Sequence, residues 1–212
     1  MGTRGAIGFV LDKKWYVTYN HFDSYPSYLG MNVLEFCKSV EDWEVLKERV
    51  GNLTLVDEEI PVPEDLIEKY SCFGQTETHG VRIGSGVLTD WYNLLRQIQG
   101  AQTLHEIYVG NLEHMIDSHL FLQDSLFCEW AYVINLDEMG LMVYKGFNKN
   151  APSPNKYNYL PPDIDPNTCY DGYYPCKLLY TYNLKNLPEF ILGVTNEFKK
   201  EYRKAKLETL DK

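Results

Sequence analysis

Apolar residues fall along this chain in short bursts whose spacing changes from two to three-and-four and back. "AIGFVL" and "WYVTYN" are separated only by "DKK", and aromatic and β-branched runs around a short polar joint predict an N-terminal β-hairpin. "NVLEFCKSV" and "SVEDWEVLKERV" then place apolar residues three and four apart, which predicts two helices, the second with Ser39 as its N-cap. "TLVDEEIPVP" reads as a short extended piece, and the stretch 64–70 as a helix entered through Pro63. "HGVRIGSGVLTDWYNLLRQIQG" passes from an extended glycine-bearing segment into a helix capped by Thr89 and closed near Gly100. A further helix is expected over "TLHEIYVGNLEHMID". "LFCEWAYVINLDEMGLMVYKG" predicts a second hairpin turning at "DEMG", and "CKLLYTYNL" another strand. Phe190, Ile191, Val194 and Phe198 recur at helical spacing, as the core side of a C-terminal helix would.

Strands and helices do not alternate regularly, so the pattern predicts a single α+β domain over 1–212. Its antiparallel sheet of at least five strands combines the N-terminal hairpin with the later hairpin and strand. Residues 148–175 are rich in Pro, Asn and Tyr without periodicity and read as a long surface loop.

With 212 residues and 44% hydrophobic content the chain has the means to bury a full core. Its formal net charge of −10 opposes a phosphodiester backbone, since nucleic-acid affinity rests on Lys and Arg displacing counterions. No nucleic-acid partner is therefore expected. No apolar run approaches the roughly 18 residues that span a bilayer, so no membrane role is expected. Five cysteines without close pairs and no apolar leader point to a cytoplasmic, reduced protein.

The chemistry concentrates in "YNHFDSYP", directly after the second strand. Asn, Asp, Ser and Pro are what a turn requires, because Asn and Asp bond their own backbone and Pro fixes φ. Yet His21 also stands among Tyr19, Phe22 and Tyr25, and polar groups walled by aromatics bind small ligands and shift pKa values. His21 and Asp23 are candidates for a general base and its orienting carboxylate. Ser24 and Tyr25 are candidates for ligand contact.

"MGTRG", "YNHFDSYPS" and "EWAYVINLD" resemble a group of bacterial, phage and fungal proteins that begin MGTRG, a resemblance strong over the first thirty residues. It implies no activity. The layout "TRGAIGFVLDKKWYVTYNHFD" is also similar to N-terminal-nucleophile hydrolases of the choloylglycine hydrolase type. That resemblance implies Thr3 as nucleophile, with Arg4, Asn20 and Asp23 arranging the site and His21 beside it, acting on an amide or ester of a small molecule. The free α-amine of Thr3 would act as its own base. The element here is Asn-x-x-Asp, one residue longer than in those enzymes, and Met1 and Gly2 stand before Thr3.

Elsewhere the signals are weaker. Arg82 with Gly84 and Gly86 ahead of a helix suggests an anion site, though the segment satisfies neither the dinucleotide fingerprint nor the P-loop. "HMIDSH" places His114 and Asp117 on one side of the expected helix but not His119, a poor metal pattern. No metal or cofactor is expected. Three classes stay open: a small hydrolase, a protein-binding module using tyrosine-rich surfaces, and a binder of a small anionic ligand.

Overall fold

The computed structural model describes residues 2–74, 77–78, 81–82, 89–151 and 159–210. β1 (Gly5–Leu11) and β2 (Lys14–Asn20) form the expected hairpin. Asp12 and Lys13 turn with positive φ, and both their N–H groups donate to the Asp137 carboxylate, at 2.8 and 3.0 Å. A π-helical turn, Pro26–Gly30, leads into α1 (Met31–Ser39). α2 (Trp43–Gly51) follows, capped by Asp42 rather than Ser39: the Asp42 carboxylate accepts from the Glu44 and Val45 N–H groups.

β3 (Thr54–Val56) and α3 (Glu64–Tyr70) lie where the pattern put them, with Pro63 at the entry. β4 (Glu77–Thr78) and β5 (Val81–Arg82) pair as a minimal hairpin. The helix expected to start at Thr89 is shorter: Asp90 caps α4 (Trp91–Leu94), and a 3₁₀ turn, Arg96–Ile98, follows. α5 (Ala101–Val109) ends at Gly110, whose φ of +83° closes it. The residues expected to continue that helix instead form β6 (His114–Ile116), parallel to β3. His114 and Asp117 therefore do not share a helix face.

β7 (Trp130–Asn135) and β8 (Gly140–Lys145) make the second hairpin, and β9 (Lys177–Asn183) adds the edge. The sheet has five strands in the order β2-β1-β7-β8-β9. It is mixed rather than antiparallel, because β1 pairs parallel to β7, Gly5 opposite Trp130 and Val10 opposite Asn135. A parallel pairing needs a long crossover. Here that crossover carries α1 to α5, and they cover one side of the sheet.

Alternation sorts the strand residues. Ile7, Phe9, Tyr16, Tyr132, Ile134, Leu141 and Val143 face the helices, in one core with Leu34, Leu46 and Leu104. Ala6, Val10, Val17, Ala131, Val133, Met142 and Tyr144 face the other way and meet Leu122, Cys128, Ile164 and Cys176. Most described residues of the 148–175 loop are exposed, and a few of them reach this second core. Residues 152–158 lie outside the described residues, but Ile164 is buried and the Tyr159 carbonyl accepts from the Tyr144 hydroxyl. Ile164 and Leu160 thus cover part of this face of the sheet.

α6 (Asn196–Leu210) is the last helix. It begins later than the spacing suggests: Ile191 and Val194 are buried from the irregular segment before it. Among the described residues, no helix is long and apolar enough to cross a membrane.

Candidate functional site

β2 ends at Asn20, and the next four residues fold back onto the start of β1. The Ser24 N–H donates to the Thr3 carbonyl (3.0 Å), the Leu29 N–H to the Asp23 carbonyl (3.2 Å), and the Tyr132 hydroxyl to the Ser24 carbonyl (3.0 Å). Asn20 Nδ2 donates to Ser24 Oγ (2.8 Å) and to the Phe22 carbonyl. Much of "NHFDS" is thus a stapled corner, as a turn reading requires. Asp23 stands at φ +52°, a left-handed conformation that Asp tolerates.

Ser24 does not contact ligand space. It is fully buried against Gly5, where a Cβ would lie 2.6 Å from Ser24 Cβ. Only a glycine lets β1 and the corner approach so closely. Tyr25 is exposed and packs its ring toward Tyr28, 6.2 Å away.

His21 and Asp23 do not form the expected base and carboxylate pair. They lie on opposite sides of Phe22, whose ring is 55% exposed and stands as a ridge between two grooves. The first groove, of about 380 Å³, is lined by Gly2, Arg4, His21, Phe22, Phe127 and Glu129. The second, of about 600 Å³, contains Asn20, Asp23, Tyr28, Asn32, Gln99 and Gln102.

In the first groove, His21 Nδ1 is 2.8 Å from the Tyr19 hydroxyl, and the His21 N–H donates to Gln99 Oε1 at 3.2 Å. Burial lowers the His21 pKa, and the Arg96 and Arg4 charges lower it further. The imidazole is therefore neutral at neutral pH. Burial raises the Tyr19 pKa against the opposing effect of Arg4 and Arg96, so its hydroxyl stays protonated.

The Arg4 guanidinium stands 5.4 Å from the Phe127 ring centroid; that of Arg96 stands 5.7 Å from Phe22 and 5.0 Å from Tyr92. Neither arginine takes part in an ion pair among the described residues. Arg96, Gln99, Phe127 and Glu129 are absent from the sequence-derived site. The i,i+4 spacing of Tyr92 and Arg96 was the available signal for one of them.

Of the set implied by the hydrolase resemblance, Arg4 and His21 line the first groove, Asn20 and Asp23 line the second, and Thr3 is joined to the corner through its backbone. The Thr3 carbonyl is held by Ser24, Asn20 spends its amide donors within the corner, and Asp23 opens into the second groove. Arg82 lies in β5 and Gly86 outside the described residues, so the anion site suggested there is not described. His119 is held by two carboxylates, Asp117 Oδ1 at 2.7 Å and Asp163 Oδ2 at 2.6 Å. Among the described residues no group of three or more His, Cys, Asp and Glu side chains is placed to hold a metal. Compared with known proteins, the chain matches no family model, no curated protein and no solved structure.

Proposed function

We propose that the protein binds a small organic anion in the groove between the His21–Phe22 corner and Phe127. The observation that carries this reading is a pair of arginines, Arg4 lining the groove and Arg96 beside the Phe22 ring, that form no ion pair among the described residues, in a chain whose net charge is −10. In an acidic protein a guanidinium is ordinarily neutralised by a neighbouring carboxylate, and Arg is suited to oxyanions through its planar donor fork. The exposed rings of Phe22 and Phe127 offer apolar contact to the body of the ligand. Glu129 brings a carboxylate to the same groove, which favours a ligand with a hydrogen-bond donor beside its anionic group. The hydrolase reading has less support, because the Asn20 amide is spent within the corner and Asp23 and His21 line different grooves. Tyr159, Tyr170 and Tyr180, all exposed, support a protein-binding surface as the second reading.

Phenyl phosphate and inorganic phosphate are the probes. Both should raise the melting temperature in a concentration-dependent way, by linkage to the folded state, and phenyl phosphate more than phosphate. Arg4→Gln and Arg96→Gln should each weaken the effect. Burial is the main cause of the lowered His21 pKa and the Arg96 and Arg4 charges add to it, so a bound anion that offsets those charges should raise the His21 pKa. No stabilisation by either probe, or stabilisation of both variants equal to that of the parent, would overturn the proposal.

A further inference from the structure

The groove on the far side of Phe22 has a different chemistry from the arginine groove. Asn20, Asn32, Gln99 and Gln102 bring four carboxamides to it, and Asp23 is the single charged side chain among the residues that line it. A carboxamide presents a donor and an acceptor side by side. That pairing matches adjacent hydroxyl groups on a ring, each of which both gives and receives a hydrogen bond.

The hydrogen-bonding capacity of these side chains is only partly used. The Asn20 amide nitrogen is spent on the corner, but among the described residues no donor reaches its Oδ1, which faces Gly100. Gln99 Oε1 accepts from the His21 N–H while its Nε2 has no acceptor among the described residues. Asn32 and Gln102 are exposed, and the Asp23 carboxylate makes no hydrogen bond or ion pair with a described residue. Two largely exposed rings, Phe22 at 55% and Tyr28 at 52%, border the same space. The C–H side of a sugar ring packs on an aromatic face while its hydroxyls meet amides and a carboxylate.

We infer that this groove is a binding site for a neutral, hydroxyl-rich ring of the saccharide class. At about 600 Å³ it lies within the ordinary range for small-molecule sites. A strongly anionic ligand is disfavoured here by Asp23, and a purely apolar one would leave the carboxamides unpaired. The inference does not depend on anion binding in the first groove, for which phosphate is the separate probe.

The test is a titration of ¹⁵N-labelled protein with glucose, galactose, mannose and ribose, each taken to roughly 10 mM, above the ~1 mM dissociation constant typical of a weak shallow site. Side-chain amide signals of Asn32, Gln99 and Gln102 should shift saturably with at least one sugar. Tyr28→Ala and Asp23→Asn should each weaken that response tenfold or more. Tyr28 is exposed and Asn tolerates the left-handed backbone at position 23 as Asp does, so both variants should fold, and their response to phosphate should be unchanged. The inference is overturned if no sugar gives a saturable shift, or if both variants respond as the parent does.

Discussion

Tyr132→Phe separates the contribution of one hydroxyl from everything else in the core. Tyr132 is fully buried at the centre of β7, and its hydroxyl donates to the carbonyl of Ser24, itself fully buried. No other donor among the described residues reaches that carbonyl. Phe keeps the ring and its packing beside Gly30, where a Cβ would already sit 2.9 Å from the Tyr132 ring. The substitution therefore removes one hydrogen bond and strands its acceptor in a dry place, which costs about 1–3 kcal/mol. Taking about 2 kcal/mol and a urea m-value of about 2.5 kcal/mol/M, the unfolding midpoint should fall by roughly 0.8 M at constant m. Urea unfolding followed by tryptophan fluorescence measures this directly. A midpoint shift under about 0.2 M, or some 0.5 kcal/mol at that m-value, would refute the reasoning, because the Ser24 carbonyl would then have found another partner at little cost. If the loss is as large as expected, phosphate binding should weaken too, since the bond anchors the corner that carries His21.

Two further outcomes follow from the contacts described. The Asp117–His119–Asp163 clamp should make stability depend on pH. Burial disfavours the His119 imidazolium, but the Asp163 and Asp117 hydrogen bonds outweigh it and raise the pKa, while the bond to His119 lowers that of Asp163. The histidine contribution is complete below its unfolded value of about 6.5 and is lost as pH rises through the raised folded value. The Asp163 contribution is present above about 3.9 and is lost as pH falls through the depressed one. With partly exposed partners worth about 0.5–1 kcal/mol each, His119→Gln should cost about 1–2 kcal/mol near pH 6 and almost nothing at pH 9; equal losses at both, measured by urea unfolding, would contradict the clamp. Gly100, at φ +70° and ψ −150° beside Asn20, occupies a region closed to side chains, so Gly100→Ala should destabilise by about 1–3 kcal/mol in the same assay.

The central strands β1, β7 and β8 were legible because their both-sided burial demands unbroken apolar runs, and the hairpin joints "DKK" and "DEMG" carry turn residues. Direction was not legible. Nothing in "AIGFVL" distinguishes a partner running parallel from one running antiparallel, and β7 lies far along the chain. The helix continued past Val109 in the sequence reading because "NLEHMI" keeps a helical apolar spacing, whereas "GN" at 110–111 is a stop signal that Gly110 in fact obeys. At the site, "YNHFDSYP" held both answers at once. Its Asn20 and Ser24 serve the corner, while His21, Phe22 and Asp23 face outward. Which residues meet them, Arg96 and Phe127 above all, depends on long-range packing that local spacing does not encode.

The parallel junction of β1 with β7 also sets an order of events at the ribosome. Gly5 and Trp130 are paired neighbours, yet more than half the chain separates them. At about 5–20 residues per second, a nascent hairpin waits roughly 6–25 s for the strand that shields its inner edge. During that interval β1 offers a bare row of backbone donors and acceptors flanked by apolar side chains on both sides, the feature that invites a neighbouring chain to pair. The strand that leads to the His21 corner is thus made well before the strand that completes it.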